Sequence, residues 1–220
     1  MMSTQLAQIM GAPESRDRFY GVTIGIVTNN QDKENLGRVK VKFPWLTETD
    51  EGYWARVLTP MAGTNQDTKN RYGIYFLPEV DTEVLVAFEH GAIEFPYILG
   101  ALWNGKDKPI ESNSDGKNNL RTLKSRSGHT IRLDDTKDDE KIEIIDSSGK
   151  NRIVISTKAN TVTISSDADI AIQSQNGKLK LSGKGIELKS AAEIKVEAKQ
   201  TLDLKAGPQL NINAKMVNIN

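Results

Sequence analysis

The chain has 220 residues, 29 basic and 29 acidic side chains, no cysteine and only 37% hydrophobic residues. Balanced charge argues against a general nucleic-acid binder, and the lack of cysteine excludes disulfide stapling and thiolate metal sites. No run approaches the ~18 apolar residues of a membrane span, so the composition describes a polar chain of one or two domains with a thin or shared core.

Residues 1–18 form an N-terminal arm, short and polar, with Gly11 and Pro13. Met1 to Met10 lack the basic start and apolar centre of a signal peptide, so the expectation is a protein made in the cytoplasm. From 19 to 104 the text turns to period-2 patterning. Tyr20–Thr28, Leu36–Phe43, Tyr53–Thr59, Gly73–Leu77, Glu83–Phe88 and Pro96–Trp103 read as strands, with a polar loop from Gly63 to Arg71. In the second of them Val39, Val41 and Phe43 share a face. Five or six strands with no helix of consequence predict a small closed barrel of the OB type. Residues 105–128 have the Asn, Gly, Ser, Asp and Lys content of a linker and of an entry to the C-terminal repeats.

The last ninety residues, 131–220, repeat. Apolar pairs two residues apart occur at Ile131/Leu133, Ile142/Ile144, Ile153/Ile155, Val162/Ile164, Ile170/Ile172 and Leu179/Leu181. They continue at Ile186/Leu188, Ile194/Val196, Leu202/Leu204, Leu210/Ile212 and Val217/Ile219. The steps between pairs are 11, 11, 9, 8, 9, 7, 8, 8, 8 and 7 residues. A pair spaced by two puts both side chains on one face of a strand. The residues between, such as Arg132, Glu143, Thr163, Lys180, Glu187, Lys195 and Asp203, are mostly polar and are expected to face water.

Eight residues reach roughly 26 Å, which is one short strand and a bend, too little for a chain to complete its own β-helix turn. The prediction is therefore three identical chains winding about one axis, with successive strands on each face coming from different chains. Residues 129–220 are the predicted shaft, an intertwined triple-stranded β-helix in a homotrimer. The ten pairs from Ile142 to Ile219 are its predicted core. The fold class is all-β: an OB barrel followed by this shaft.

The strings Leu36-Gly-Arg-Val-Lys-Val41, Tyr53-Trp-Ala-Arg56, Gly73-Ile-Tyr-Phe-Leu-Pro-Glu-Val-Asp81, Glu83-Val-Leu-Val-Ala-Phe-Glu-His-Gly91 and Tyr97-Ile-Leu-Gly-Ala-Leu-Trp-Asn-Gly105 together resemble the OB domain of the contractile-tail spike family. That family takes in phage baseplate spikes, valine-glycine repeat proteins of type VI secretion and spikes of related extracellular injection particles. Lys124–Asp134 and Lys141–Asp146 resemble its entry into the β-helix. The resemblance implies a homotrimer at the tip of an inner tube, driven through a target envelope when a sheath contracts. Some members carry a large N-terminal hub domain with no counterpart here, which implies a separate baseplate hub protein as partner. Residues 105–120 are too few for a lysozyme-like insertion, and His90 and His129 alone cannot form an apical His-x-His iron site. The end Met216-Val-Asn-Ile-Asn220 reads as a plain strand, implying a blunt apex or a separate tip-capping protein.

Other chemistries read weakly. Asp134, Asp135, Asp138, Asp139 and Glu140 are dense enough for a calcium site, but Lys137 and Lys141 interrupt them and a solvated turn is the plainer reading. His129 suits packing or hydrogen bonding and His90 a turn, neither with a second ligand histidine. Trp45, Trp54 and Trp103 could stack bases, yet they lack a basic surround, and core packing is expected for Trp54 and Trp103. No catalytic, cofactor or metal residue is assigned, and no nucleic-acid partner. The competing function is an OB module on a β-solenoid stalk that binds a glycan or nucleic acid. A polysaccharide-cleaving β-helix is disfavoured by the short period.

Overall fold

The computed structural model describes residues 18–46 and 52–218. Nearly all of the predicted N-terminal arm, and Ile219 of the predicted core, lie outside these. Among the described residues no helix is long and apolar enough to cross a membrane. The chain divides between Ser165 and Ser166 into two units.

The first unit begins with a closed five-stranded barrel of β1 (Val22–Asn29), β2 (Arg38–Lys42), β3 (Tyr53–Val57), β6 (Glu83–Phe88) and β7 (Pro96–Ala101). The strand order is β1-β2-β3-β7-β6, and β6 closes on β1. Strict alternation builds the core. Val39 and Val41 of β2, and Val84, Val86 and Phe88 of β6, point in and are buried with Val27, Phe43, Ala55 and Ile98. Phe43 packs edge-on to Phe88 at 5.2 Å between ring centres. The β1–β2 loop is pinned by Asp32, whose carboxylate accepts N–H bonds from Glu34, Leu36 and Arg38 and two more from the Arg38 guanidinium. That guanidinium holds the Asp32 carboxyl far below the usual carboxylate range.

Two expectations for this half are corrected. The strand read at Gly73–Leu77 is instead β5 (Arg71–Gly73), paired with β4 (Ala62–Thr64) in a hairpin outside the barrel sheet. Of the polar stretch 63–71, residues 65–70 are the tip of this hairpin and the rest belong to its two strands. The Asn65 side-chain oxygen accepts from the N–H groups of Asp67 and Thr68, which closes the turn. Neither Trp54 nor Trp103 joins the core. On β3 the inward place belongs to Ala55, so Trp54 faces out under the Arg38 guanidinium, 5.5 Å from its ring centre. Trp103 falls after β7 ends and is 60% exposed.

After a loop comes a five-stranded antiparallel meander: β8 (Leu120–Lys124), β9 (Thr130–Asp134), β10 (Lys141–Ile145), β11 (Arg152–Ser156) and β12 (Thr161–Ser165). Leu120–Lys124, within the stretch read as linker and entry to the repeats, is the first strand of this sheet. The meander also corrects the expectation of interlaced chains from the first repeat onward, because through Ser165 every strand pairs with its neighbour in the same chain. The reason is spacing. Steps of 11, 11 and 9 residues leave room for a five-residue strand and a reversing turn. The turns carry the left-handed residues that reversal needs, Asp138 (φ 65°), Gly149 (φ 73°) and Asn160 (φ 51°).

The second unit holds the repeats with steps near eight residues. Its described residues, 166–218, form no hydrogen-bonded strand, and all of them after Ser166 are exposed. With fewer residues per repeat, a strand and a reversal no longer both fit, and in-chain pairing stops where the step shortens.

Candidate functional site

Register places the aliphatic pairs in direct opposition across the meander. Ile131 faces Ile144, Leu133 faces Ile142, Ile142 faces Ile155, Ile144 faces Ile153, Ile153 faces Ile164 and Ile155 faces Val162. Leu123 of β8 extends the same face opposite Ile131. All of these residues are exposed, from 39% at Ile153 to 67% at Val162. Soluble proteins rarely leave so continuous an apolar face in water. In the second unit, Ile170, Ile172, Leu179, Leu181, Ile186, Leu188, Ile194, Val196, Leu202, Leu204, Leu210, Ile212 and Val217 are likewise exposed.

The opposite face is the better covered one, a reversal of the expectation that Arg132 and Glu143 face water. Arg132 stands opposite Glu143 and their charged groups approach to 3.8 Å; the Glu143 side chain is only 13% exposed. The Arg132 guanidinium also donates to Glu111 at 2.7 Å. Glu111 lies in the preceding loop and accepts a further bond from the Thr122 hydroxyl. That hydroxyl and then Arg132 hold the Glu111 carboxyl below its ordinary range. Loop composition hid Glu111 in the sequence, since nothing local marks a loop carboxylate as the cover of a sheet.

The dense carboxylates disperse into turns and ion pairs. Asp134 accepts from the Thr136 hydroxyl and N–H and pairs with Lys141 at 3.6 Å, which lowers its pKa. Asp135 pairs with Arg121, Asp139 pairs with Lys141, and Glu140 accepts the Asp138 N–H. His129 acts as a turn brace, its Nδ1 accepting the Ser147 N–H at 3.1 Å and so tying the β8–β9 turn to the β10–β11 turn. His90 occupies a left-handed turn position at φ 49°, and its carbonyl accepts from Arg18. One ion pair, Arg126 to Glu79 at 2.9 Å, links the β8–β9 turn to the barrel loop before β6.

The chain thus combines a closed OB barrel with a β-repeat whose aliphatic face is exposed. Residues 23–103 match the type VI secretion system/phage-baseplate injector OB domain family. The chain is 31% identical over 138 residues to the type VI secretion system spike protein VgrG2a of Pseudomonas aeruginosa, covering 57% of this chain and 16% of that relative. It is 29% identical over 140 residues to VgrG5 of the same organism, covering 58% of this chain and 17% of the relative. It is 32% identical over 100 residues to VgrG3 of Vibrio cholerae, covering 42% and 9%. The matched stretches thus span well under a fifth of the length of these relatives. These matches fall on the barrel, and residues 23–103 are similar to the OB domain of the spike proteins of type VI secretion systems and phage baseplates.

Proposed function

We propose that this chain is the trimeric central spike of a contractile injection machine, attached to a baseplate hub and inner tube and thrust through a target envelope when the sheath contracts. The observation that carries the reading is the uncovered aliphatic face of β9–β12, continued by the exposed pairs from Ile170 to Val217. Each such side chain gains roughly 1.5–3 kcal/mol on full burial, and in a single chain that gain is not realised.

Three copies resolve this in two ways along the chain. Through Ser165 each copy brings its own finished meander and lays the aliphatic face against the common axis. Beyond it the short repeats hand each next strand to a different copy, so the strands interlace. The barrels form the collar, and a rod whose core exists only between copies carries axial load without separable parts. The role is mechanical, and a separate protein capping the C-terminal tip fits the same reading.

Sedimentation or native mass spectrometry of the purified chain tests it. The expected result is a trimer that resists heat and detergent, with slow unfolding; a folded monomer at micromolar concentration would overturn it.

A further inference from the structure

We infer that residues 178–205 carry a charge ladder on the outside of the shaft that dictates which repeat of one copy lies beside which repeat of the next. The inference rests on the three-copy shaft proposed above, and its partner is a second copy of this chain.

The meander supplies the precedent within one chain. Arg132, between the apolar pair of one repeat, stands opposite Glu143, between the pair of the next, at 3.8 Å. Asp134 and Lys141, which flank the same two pairs, also stand opposite each other, at 3.6 Å. Between β9 and β10 a charge meets its opposite one repeat later; between β10 and β11 Glu143 faces Val154 and Lys141 faces Ser156.

Beyond Ser165 the same positions resume the pattern. The residues between the apolar pairs are Lys180, Glu187, Lys195 and Asp203, in strict alternation of sign. The residues just after the pairs alternate too, as Lys189, Glu197 and Lys205. Within a repeat the two positions are again opposite: Glu187 pairs with Lys189 and Lys195 with Glu197, each at 2.8 Å and with all four side chains exposed. The outer face is therefore a checkerboard.

A checkerboard carries information that the core lacks. Every repeat presents much the same aliphatic pair, so a shaft slipped by one repeat would bury equivalent side chains. The charges distinguish the two arrangements. With strands about 4.8 Å apart, residues at matching positions on neighbouring strands are in contact range. Consecutive repeats side by side set Lys180 against Glu187, Glu187 against Lys195 and Lys195 against Asp203. A slip by one repeat sets Lys180 against Lys195 and Glu187 against Asp203, like against like. Steps near eight residues keep a chain from folding back on itself, and the opposite charges must come from another copy. Specificity of this kind, an attraction for one register and a repulsion for its rivals, is how charged positions sort coiled-coil partners.

The test uses the full chain and begins with its native mass, which settles the three-copy reading by itself. Glu187→Lys puts a like charge between Lys180 and Lys195 and is expected to lower the melting temperature of the trimer by about 5 °C at low salt. The loss shrinks as salt is raised from about 0.02 M to about 1 M. Inverting all seven charges together (Lys180→Glu, Glu187→Lys, Lys189→Glu, Lys195→Glu, Glu197→Lys, Asp203→Lys, Lys205→Glu) keeps every contact opposite in sign and restores the native melting temperature. Glu187→Gln, which removes the charge without reversing it, gives a smaller loss with the same salt dependence and serves if the reversal is insoluble. A native trimer whose melting is unmoved by Glu187→Lys and Glu187→Gln at low salt overturns the ladder and leaves the trimer standing. So does a fully inverted chain that melts as low as the single reversal. A native monomer removes both.

Discussion

Ile142 and Ile155 stand directly opposite each other on neighbouring strands, and each keeps 44% of its surface in water. Cross-strand aliphatic pairs are the unit of sheet stabilisation only when something covers them. Replacing Ile144 and Ile155 together by Asp puts unpaired carboxylates on the face assigned to the trimer axis, where an unsatisfied charge costs several kcal/mol. The expected outcome by light scattering after size exclusion is loss of the trimer to monomer or aggregate. The near-ultraviolet circular dichroism of the barrel aromatics should survive, because no barrel residue is touched.

The barrel was legible because its strands are each half in and half out: Val39, Val41 and Phe43 read as one face, and all three are buried. The apolar pairs of the repeats were equally plain. What could not be read was the end of in-chain pairing at Ser165, since an apolar pair spaced by two looks the same on either side of it. The step length held part of that information: the steps of 11, 11 and 9 residues reverse, and the first step of 8 does not, although the next step of 9, from Ile170 to Leu179, does not reverse either. Trp54 misled for a different reason. An apolar aromatic in a strand reads as core until the small residue beside it, Ala55, is seen to hold the inward place. Glu111 was invisible because its partner Arg132 lies across a turn and a strand, a separation no local pattern reports.

The barrel wall tests close packing. A Cβ on Gly25 would lie 2.5 Å from Val41 Cγ2 and 3.1 Å from Val86 Cγ2, both on buried core residues. Gly25→Ala is therefore expected to destabilise the barrel by about 1–3 kcal/mol through overpacking. Gly100→Ala is the control, since nothing lies within 4 Å of the added carbon there. It should fall within about 0.5 kcal/mol of the native protein in urea or thermal unfolding.

Acid should weaken the meander in a defined direction. The carboxyls of Glu111 and Asp134 are held below their ordinary ranges, Glu111 first by the Thr122 hydroxyl and Asp134 first by that of Thr136. A group depressed in the folded state contributes stability that is fully present above its unfolded pKa. That stability is lost as pH falls through the lowered folded value. Melting temperature should be flat from neutral pH down to the ordinary carboxylate range and then drop. Thr122→Val removes the larger support of Glu111 and should make the drop shallower; an unchanged slope would detach Glu111 from it.

Arg132 is the sharpest test of the covered face. Its guanidinium lies 2.7 Å from Glu111 and 3.8 Å from Glu143, and both carboxylates are at least partly withdrawn from water. Arg132→Met keeps the stem of the side chain and removes the charge, leaving the two acids without this cation. The loss is expected at about 1–3 kcal/mol, toward the lower end because Glu111 retains some solvent. Arg132→Lys should recover part of it, since a single ammonium cannot reach both acids with the breadth of a guanidinium. A carboxylate stripped of its cation is easier to protonate in the folded state, so Glu111 contributes less to the acid loss and the drop of Arg132→Met with falling pH should be shallower. Adding Glu143→Gln to Arg132→Met should return stability toward the native value, because the cost lies in the orphaned charge more than in the lost pair. A double variant as weak as the single one would show that the Arg132 stem, by its packing, is what holds this side of the sheet.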